Sequence, residues 1–575
     1  MNDLTQFIKS SSNNNFVRVI SDPEGEDIVA LAGISTYENQ RLILCGDILD
    51  STFVGQINDQ HISRLSYNIR NIKLIVDNSE NIKLIVGNRD INKVKVLPLT
   101  TLEGDSELIK KFNNGEIDLS YTTFNKLFNE NPQFKVKNMN NWYPYWKFIN
   151  SQSNENSKNW NYDTKDSFLN RYYNIFGVDN NKDNENTGTM SAQNTIECIY
   201  TELHEMQILP TTDKILQKSL LDEYKAFLTL AVYRSMLIPD EPINNTTVGQ
   251  FRGYLYKMLK NAFITAYAIN KNKILMFSHG GIIPSTDLQK YYNAVKECHT
   301  KGIYNYQTTI KQSGGFYKNT DASDIICKDE TLKVFFHEAH TIYKNSIDLL
   351  EKEIYNDDEP SVNMLFLLAI SAPFNNIKLC KSNNNPVTEI MSPIQANINL
   401  VRKEFFFVAN TERIFETIQI IGHRPSGFAS TIDYIEHNQK TPGWIINLDT
   451  TMTYSHSIIN GLPAKTGYSY LLIRSNFTLV SRGIININNN HLKKTTKINK
   501  DSSGYISSKN SVRIDQDIVS HDLGIKIKTI NTDKYEIHVH KLGDNNTDSV
   551  VMIKGNSFNK TLIISTYKDL KKLLL

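Results

Sequence analysis

Five short apolar runs in this sequence each end on a side chain able to offer an oxygen or a nitrogen to a metal ion. Phe16–Ile20 (FVRVI) runs into Ser21-Asp22-Pro23-Glu24, and Arg41–Cys45 (RLILC) runs into Gly46-Asp47, with Asp50 shortly after. Ile82–Val86 (IKLIV) is followed by Gly87-Asn88-Arg89-Asp90, and Ile274–Phe277 (ILMF) by Ser278-His279-Gly280-Gly281. Ile418–Ile421 (IQII) is followed by Gly422-His423-Arg424-Pro425. Runs of this kind suit strands buried on both faces. In four of the five, Gly adjoins the donor and frees the backbone to turn. Ligands of open α/β sheets collect outside the carboxyl ends of the strands. Carboxylates are costly to bury at such an edge unless something positive lies between them. Asp47 is therefore read as holding metal.

The order of these strings resembles the calcineurin-like metallophosphoesterase superfamily. His279-Gly280-Gly281-Ile282-Ile283-Pro284 is particularly similar to its phosphoprotein phosphatase branch. The string Gly87-Asn88-Arg89-Asp90-Ile91-Asn92-Lys93 resembles a divergent group from protists and large DNA viruses. The resemblance implies an α/β fold: a calcineurin-like β-sandwich core with flanking helices, two large helical insertions and a β-rich C-terminal region. The resemblance covers 16–99, 262–290 and 415–455, and with the patterning between them the chain divides into a first half of the core (16–99), a helical insertion (100–261), a core strand with its HGG loop (262–290), a second helical insertion (291–414), a second half of the core (415–484) and the C-terminal region (485–575). The insertions are expected to rise around the metal edge, decide substrate access and offer surface to a protein partner.

The resemblance further implies two divalent ions (Mn, Fe, Zn or Mg) sharing a hydroxide that attacks phosphorus in line. By motif position Asp47 bridges both ions and Asp22 binds the first. Asn88, His279 and His423 bind the second. Two departures stand out. Glu24 occupies a position where the family usually has His, and either ligates as an anion, favouring Mn or Mg, or points away and leaves the first ion weakly held. Arg89 stands where the family has a His acting as general acid, held by the Asp50 position. Arg stays protonated at any working pH, so it either clamps phosphate oxygens or forms a buried ion pair with Asp50. Ser51-Thr52 follows Asp50 where the branch has a phosphate-gripping Arg, and Arg89, Lys93 or Arg424 is a candidate replacement. Asp449 resembles an Asp that follows the last histidine, orienting a ligand or capping a turn.

The expected activity is metal-dependent hydrolysis of a phosphate ester or anhydride with a good leaving group, a nucleotide or diester, with phosphoserine a poor substrate. The rivals are an impaired, phosphatase-like binding module and a virus-associated structural or interaction protein. The 575 residues exceed one ordinary core. A net charge of +2 gives no field to attract nucleic acid or membrane. Five scattered Cys fit a reducing compartment. No apolar segment approaches the roughly 20 residues that span a bilayer, and MNDLTQFIKSSSNNN has no signal-peptide core. A cytoplasmic protein is expected.

Apolar spacing predicts helices over Gln56–Val76, Ser219–Leu237, Val248–Ile269, Leu332–Ile354 and Val362–Ile370. NIKLIV occurs at 71–76 and again at 81–86, read as the end of a helix and then a strand. Short β-rich runs follow Asp449. They are read either as extra strands of the main sheet or as an appended module. His337-Glu338-Ala339-His340 reads as a helix surface and Phe405-Phe406-Phe407 as core.

Overall fold

The computed structural model describes residues 2–10, 16–29, 41–50, 54–57, 60–63, 67–130, 167–176, 187–209, 218–239, 248–283, 288–301, 326–350, 360–371, 377–379, 388–390, 392–394, 396, 401, 404–423, 431–437, 441–449, 458–459, 462–463, 467–486, 511–518, 526–531, 535–542, 548–555 and 558–564. All five apolar runs are strands. They are β1 (Val17–Ile20), β2 (Arg41–Cys45), β5 (Ile82–Ile85), β7 (Lys273–Ser278) and β12 (Glu416–Ile421). Between the second and third lies a hairpin, β3 (Val54–Ile57) with β4 (Gln60–Ser63), and β6 (Thr265–Ile269) precedes β7. Short pairs, β8 (Ile326–Lys328) with β11 (Phe407–Ala409) and β9 (Ile377–Leu379) with β10 (Thr388–Ile390), lie before β12. The chain continues through β13 (Thr431–His437), β14 (Thr441–Asn447), β15 (Ile458–Ile459), β16 (Leu462–Pro463), β17 (Gly467–Ile473), β18 (Leu479–Asn486) and β19 (Ser511–Ile518).

Eleven of these strands build two mixed sheets in an α/β protein, and the other eight form two-stranded pairs. The first runs β19-β18-β17-β1-β2-β5, and the second runs β13-β14-β12-β7-β6. Within the first, β1, β2 and β5 are parallel. Within the second, β7, β12 and β14 are parallel, flanked by antiparallel β6 and β13. Side chains alternate at a period of two along every parallel strand. Val17, Val19, Ile43, Cys45 and Ile85 meet Leu275, Phe277, Ile418, Ile420, Trp444 and Ile446 in one apolar layer, so the sheets pack face to face. The opposite faces are covered as well. Ile20, Leu42, Leu44, Ile82 and Leu84 pack under helices, while Ile274 and Met276 pack against Phe335 and Phe336.

The first insertion supplies helices Glu107–Asn113, Tyr121–Glu130, Phe168–Phe176, Thr187–Glu205, Lys218–Leu237 and Tyr254–Asn261. Their apolar faces share one cluster with the outer face of β1, β2 and β5, so this insertion is a layer laid on the first sheet. Arg234, fully buried, ties it together: Nε donates to Asn113 O at 2.7 Å, Nη1 to Leu97 O at 2.9 Å and Thr100 Oγ1 at 3.1 Å, and Nη2 to Thr101 Oγ1 at 3.2 Å. A lysine ammonium cannot reach all of these groups from one position. Arg234→Lys is expected to lower stability by about 2 kcal/mol, read as a shift of the urea midpoint at unchanged slope.

Two expected helices are corrected. Gln56–Val76 is a hairpin, β3 and β4, followed by a helix over Asn68–Asp77 only. The sequence between the hairpin strands is Asn58-Asp59, residue types that favour turns. The helix starts late because buried Glu202 accepts from Ile69 N at 3.1 Å and Arg70 N at 2.8 Å, satisfying its first turn from another helix. Val248–Ile269 splits into the helix Tyr254–Asn261 and the strand β6, because Ala262 is extended and Thr265–Ile269 pairs with β7. The repeated hexapeptide is helical in its first copy and a strand in its second.

Leu332–Ile354 and Val362–Ile370 correspond to helices Asp329–Asp348 and Val362–Ser371, the former carrying His337 and Glu338 on its exposed side. Phe405, Phe406 and Phe407 are core. Of the two readings for the C-terminal runs, both hold in part. β17, β18 and β19 extend the first sheet, whereas β20 (Lys526–Asn531), β21 (Tyr535–Leu542), β22 (Asp548–Gly555) and β23 (Phe558–Ile564) form an antiparallel sheet of their own. Among the described residues no helix is long and apolar enough to cross a membrane.

Candidate metal centre

The parallel strands of both sheets deliver their carboxyl ends to one place. β1 leads to Asp22 and Glu24, β2 to Asp47 and Asp50, β5 to Asn88 and Arg89, β7 to His279, β12 to His423 and β14 to Asp449. The backbone there is held in an unusual state. Asp22, Glu24, Asp47, Asp50 and His423 all have positive φ, between 45° and 74°, and only Gln207 and Phe477 join them among described residues other than Gly. Left-handed backbone costs an L-residue on the order of 1–2 kcal/mol, and such strain persists where surrounding structure over-determines it, typically at functional sites. Here the surroundings are a ladder of loop hydrogen bonds. Asp22 N donates to Gly46 O at 3.1 Å, Glu24 N to Asp47 O at 2.9 Å and Gly25 N to Ile48 O at 2.8 Å.

Five expected ligands converge. One oxygen or nitrogen from each of Asp22, Asp47 and His279 lies within 4.8 Å of the other two. Asn88 Oδ1 is 3.1 Å from both His279 Nε2 and His423 Nδ1. His279 Nε2 is 3.4 Å from Asp47 Oδ1 and 3.3 Å from His423 Nδ1. Ligands placed about 2.1 Å from a shared octahedral ion stand about 3 Å apart, so these spacings are those of neighbours around one centre. The tautomer is also set. His279 Nδ1 donates to Cys45 O at 2.9 Å, which directs Nε2 toward the other donors. The donor set of carboxylate, amide and imidazole fits Mn, Fe or Zn.

Glycine lets the strand ends meet this closely. A Cβ on Gly46 would strike His279 Nδ1 and lie 2.8 Å from Gly87 N and Cα. Gly46 also sits at φ +87°. Gly46→Ala is expected to destabilise the fold by about 2–3 kcal/mol and to weaken Mn binding, read by denaturant titration and calorimetry on the same sample.

Charge in the cluster is unbalanced without a cation. Asp22, Glu24, Asp47 and Asp449 are 4–6% exposed. Burial, with the Asp47 charge added, raises Asp22 to about 6 against the pull of His279. Burial and the charges of Asp22 and Glu24 push Asp449 well above its ordinary value. Burial works against the charges of Asp47 and His279, but each is outweighed by the other. Asp47 is held below the usual carboxylate range by His279 and Arg89, and His279 is raised to about 10 by Asp47 and Asp22.

In the metal-free protein His279 is thus an imidazolium at neutral pH, and an ion bound through Nε2 displaces that proton. Roughly one proton is expected to leave per ion bound near neutral pH, with further release below about pH 6 as Asp22 also deprotonates. Apparent binding enthalpies should differ between buffers of different ionisation enthalpy, and equal values would contradict the assignment.

The remaining candidates take other partners. Glu24 Oε1 lies 2.8 Å from Arg89 Nη2, so Glu24 is turned to Arg89. Arg89 Nε lies 3.4 Å from Asp47 Oδ2, and Arg89 N donates to Asp47 Oδ1 at 2.9 Å. In place of the alternative in which Arg89 pairs with Asp50, Asp50 is taken by Lys93, whose Nζ donates to Asp50 Oδ2 at 2.9 Å, Arg89 O at 2.9 Å and Asn92 Oδ1 at 2.7 Å. The Lys93 side chain is fully buried over Phe176, so in this arrangement it braces the loop and presents no ammonium to phosphate. The cause is helical geometry: Lys93 lies one turn beyond Arg89 and points back under it. Arg424 lies outside the described residues.

Two residues with structural duties were missed. Asp90 accepts from Gly87 N at 2.9 Å, Ile48 N at 2.9 Å and Leu49 N at 3.3 Å, joining the loops after β2 and β5. Its place in Gly-Asn-Arg-Asp, at the third position of the short helix Asn88–Ile91, was the available signal. Ser21 Oγ lies within hydrogen-bond reach of both Asp22 Oδ2 and, at 2.8 Å, Cys45 O, and its one proton, given to the carboxylate, orients Asp22; no sequence signal marked it.

No family model, curated protein or solved structure matches the chain.

Proposed function

We propose that this chain is a metal-dependent phosphoesterase on a calcineurin-like sandwich, acting on phosphate esters or anhydrides with good leaving groups, such as nucleotides or diesters. The observation that carries the reading is the meeting of Asp22, Asp47 and His279 within 4.8 Å, from three separate strand ends. Asn88 and His423 complete the donor set. A divalent ion supplies Lewis acidity and a nucleophile at neutral pH when bound. The chain's own residues do the rest. Asn88 spaces the two imidazoles, Cys45 O fixes the tautomer of His279, and Ser21 orients Asp22.

Arg89 keeps its proton at any working pH and gives none to a leaving alkoxide. Substrates whose leaving group departs unprotonated are favoured for that reason. The Glu24–Arg89 ion pair also supports one alternative, a phosphatase-derived module that binds metal or phosphate without turnover. Initial rates with Mn on bis(p-nitrophenyl) phosphate, p-nitrophenyl phosphate and a phosphoserine peptide separate the two. The enzyme reading expects aryl substrates to be cleaved and the peptide to be nearly inert. Silence on all three with every divalent metal tried selects the module.

A further inference from the structure

We infer that the site is built for one divalent ion, and that the Arg89 guanidinium occupies the electrostatic place of the ion expected at Glu24. This rests on the metal-centre reading above and changes its stoichiometry. The donors fall into two groups. Asp22, Asp47 Oδ1, Asn88, His279 and His423 face one another. Glu24 and Asp47 Oδ2, which a second ion would need, face Arg89 at 2.8 Å and 3.4 Å. Asp47 still bridges two cationic positions, one of them a guanidinium.

Arg89 is fixed there from several directions. Its N–H is bound to Asp47 Oδ1, its carbonyl receives Lys93 Nζ, and Lys93 already neutralises the Asp50 carboxylate that could have drawn the guanidinium away. A dication placed between Glu24 and Asp47 would meet a permanent like charge at close range, in a setting that screens poorly. The two departures from the resembling pattern are thus one change. Glu24 alone would add an uncompensated anion and Arg89 alone an uncompensated cation. Together they form a closed pair that fills the first-ion position. One divalent ion and one guanidinium then face the cluster of carboxylates.

The test counts ions. Full-length protein is loaded with Mn and freed of excess, its content is measured by plasma mass spectrometry, and its electron paramagnetic resonance spectrum is recorded. One ion per chain with an uncoupled, mononuclear hyperfine pattern is expected. The double variant Glu24→His/Arg89→His should raise the content to two and bring in exchange coupling. His279→Ala should lose the ion held by wild type. Two coupled ions in wild type would overturn the inference while keeping the metal centre. No ion in wild type would overturn the metal centre and this inference with it. Should the double variant fail to fold, the count and spectrum of wild type alone still decide.

Discussion

Asp47→Asn is expected to lower Mn-dependent turnover of bis(p-nitrophenyl) phosphate on the order of a thousandfold and to weaken Mn binding with it. The substitution keeps the shape of the side chain and removes its charge. Asp47 lies between the His279 imidazole and the Arg89 guanidinium. One oxygen faces His279 Nε2 and accepts Arg89 N, and the other faces Arg89 Nε. An amide can keep either a lone pair toward the ion or a contact to the guanidinium, and its NH₂ opposes the donors around it. The wild-type carboxylate stays ionised throughout the working range because His279 and Arg89 hold it so. Rates and Mn titrations on the two proteins check the expected loss, and a variant within tenfold of wild type would remove Asp47 from the account.

Arg89→Met is expected to destabilise the metal-free protein by about 3–5 kcal/mol, the usual result of leaving one member of a buried ion pair behind. Glu24 is 5% exposed, and water cannot take over from the guanidinium. Glu24→Gln/Arg89→Met removes both charges, and its loss should fall short of the sum of the singles by about 2 kcal/mol or more. Urea denaturation of the four proteins in chelator measures the cycle, and additive losses would mean that the pair is incidental. Excess Mn should restore part of the stability of the Arg89→Met protein, because the vacated position between Glu24 and Asp47 can then take an ion. In wild type the same excess should add nothing beyond saturation of the first site.

The five donors were legible in the sequence because each is bound to its strand by one or two residues of backbone. A buried strand followed by Gly and a donor leaves that donor few places to go. The partners of Glu24 and Arg89 were not legible, although both residues stood out. Each departs from the pattern at its own position, and nothing local says that the two lie 2.8 Å apart. The partner of Asp50 is not legible for a related reason. Arg89 and Lys93 lie on one side of a helical turn, and which of them reaches Asp50 depends on where that turn docks.

The Gln56–Val76 stretch failed at the level of periodicity, since sparse apolar residues such as Ile57 and Ile62 fit a hairpin as well as a helix face. The end of the Val248–Ile269 pattern was lost because β6 acquires its character from pairing with β7. The packing of 100–261 onto the first sheet depends on buried groups such as Arg234 and Glu202, whose partners lie far away in the chain.

Anomalous diffraction at the manganese edge, from crystals of the full-length protein grown with Mn, locates the ion itself. A single strong peak is expected, bounded by Asp22, Asp47, Asn88, His279 and His423, with the Arg89 guanidinium still between Glu24 and Asp47. A peak elsewhere, or none in this cluster at saturating Mn, would contradict it.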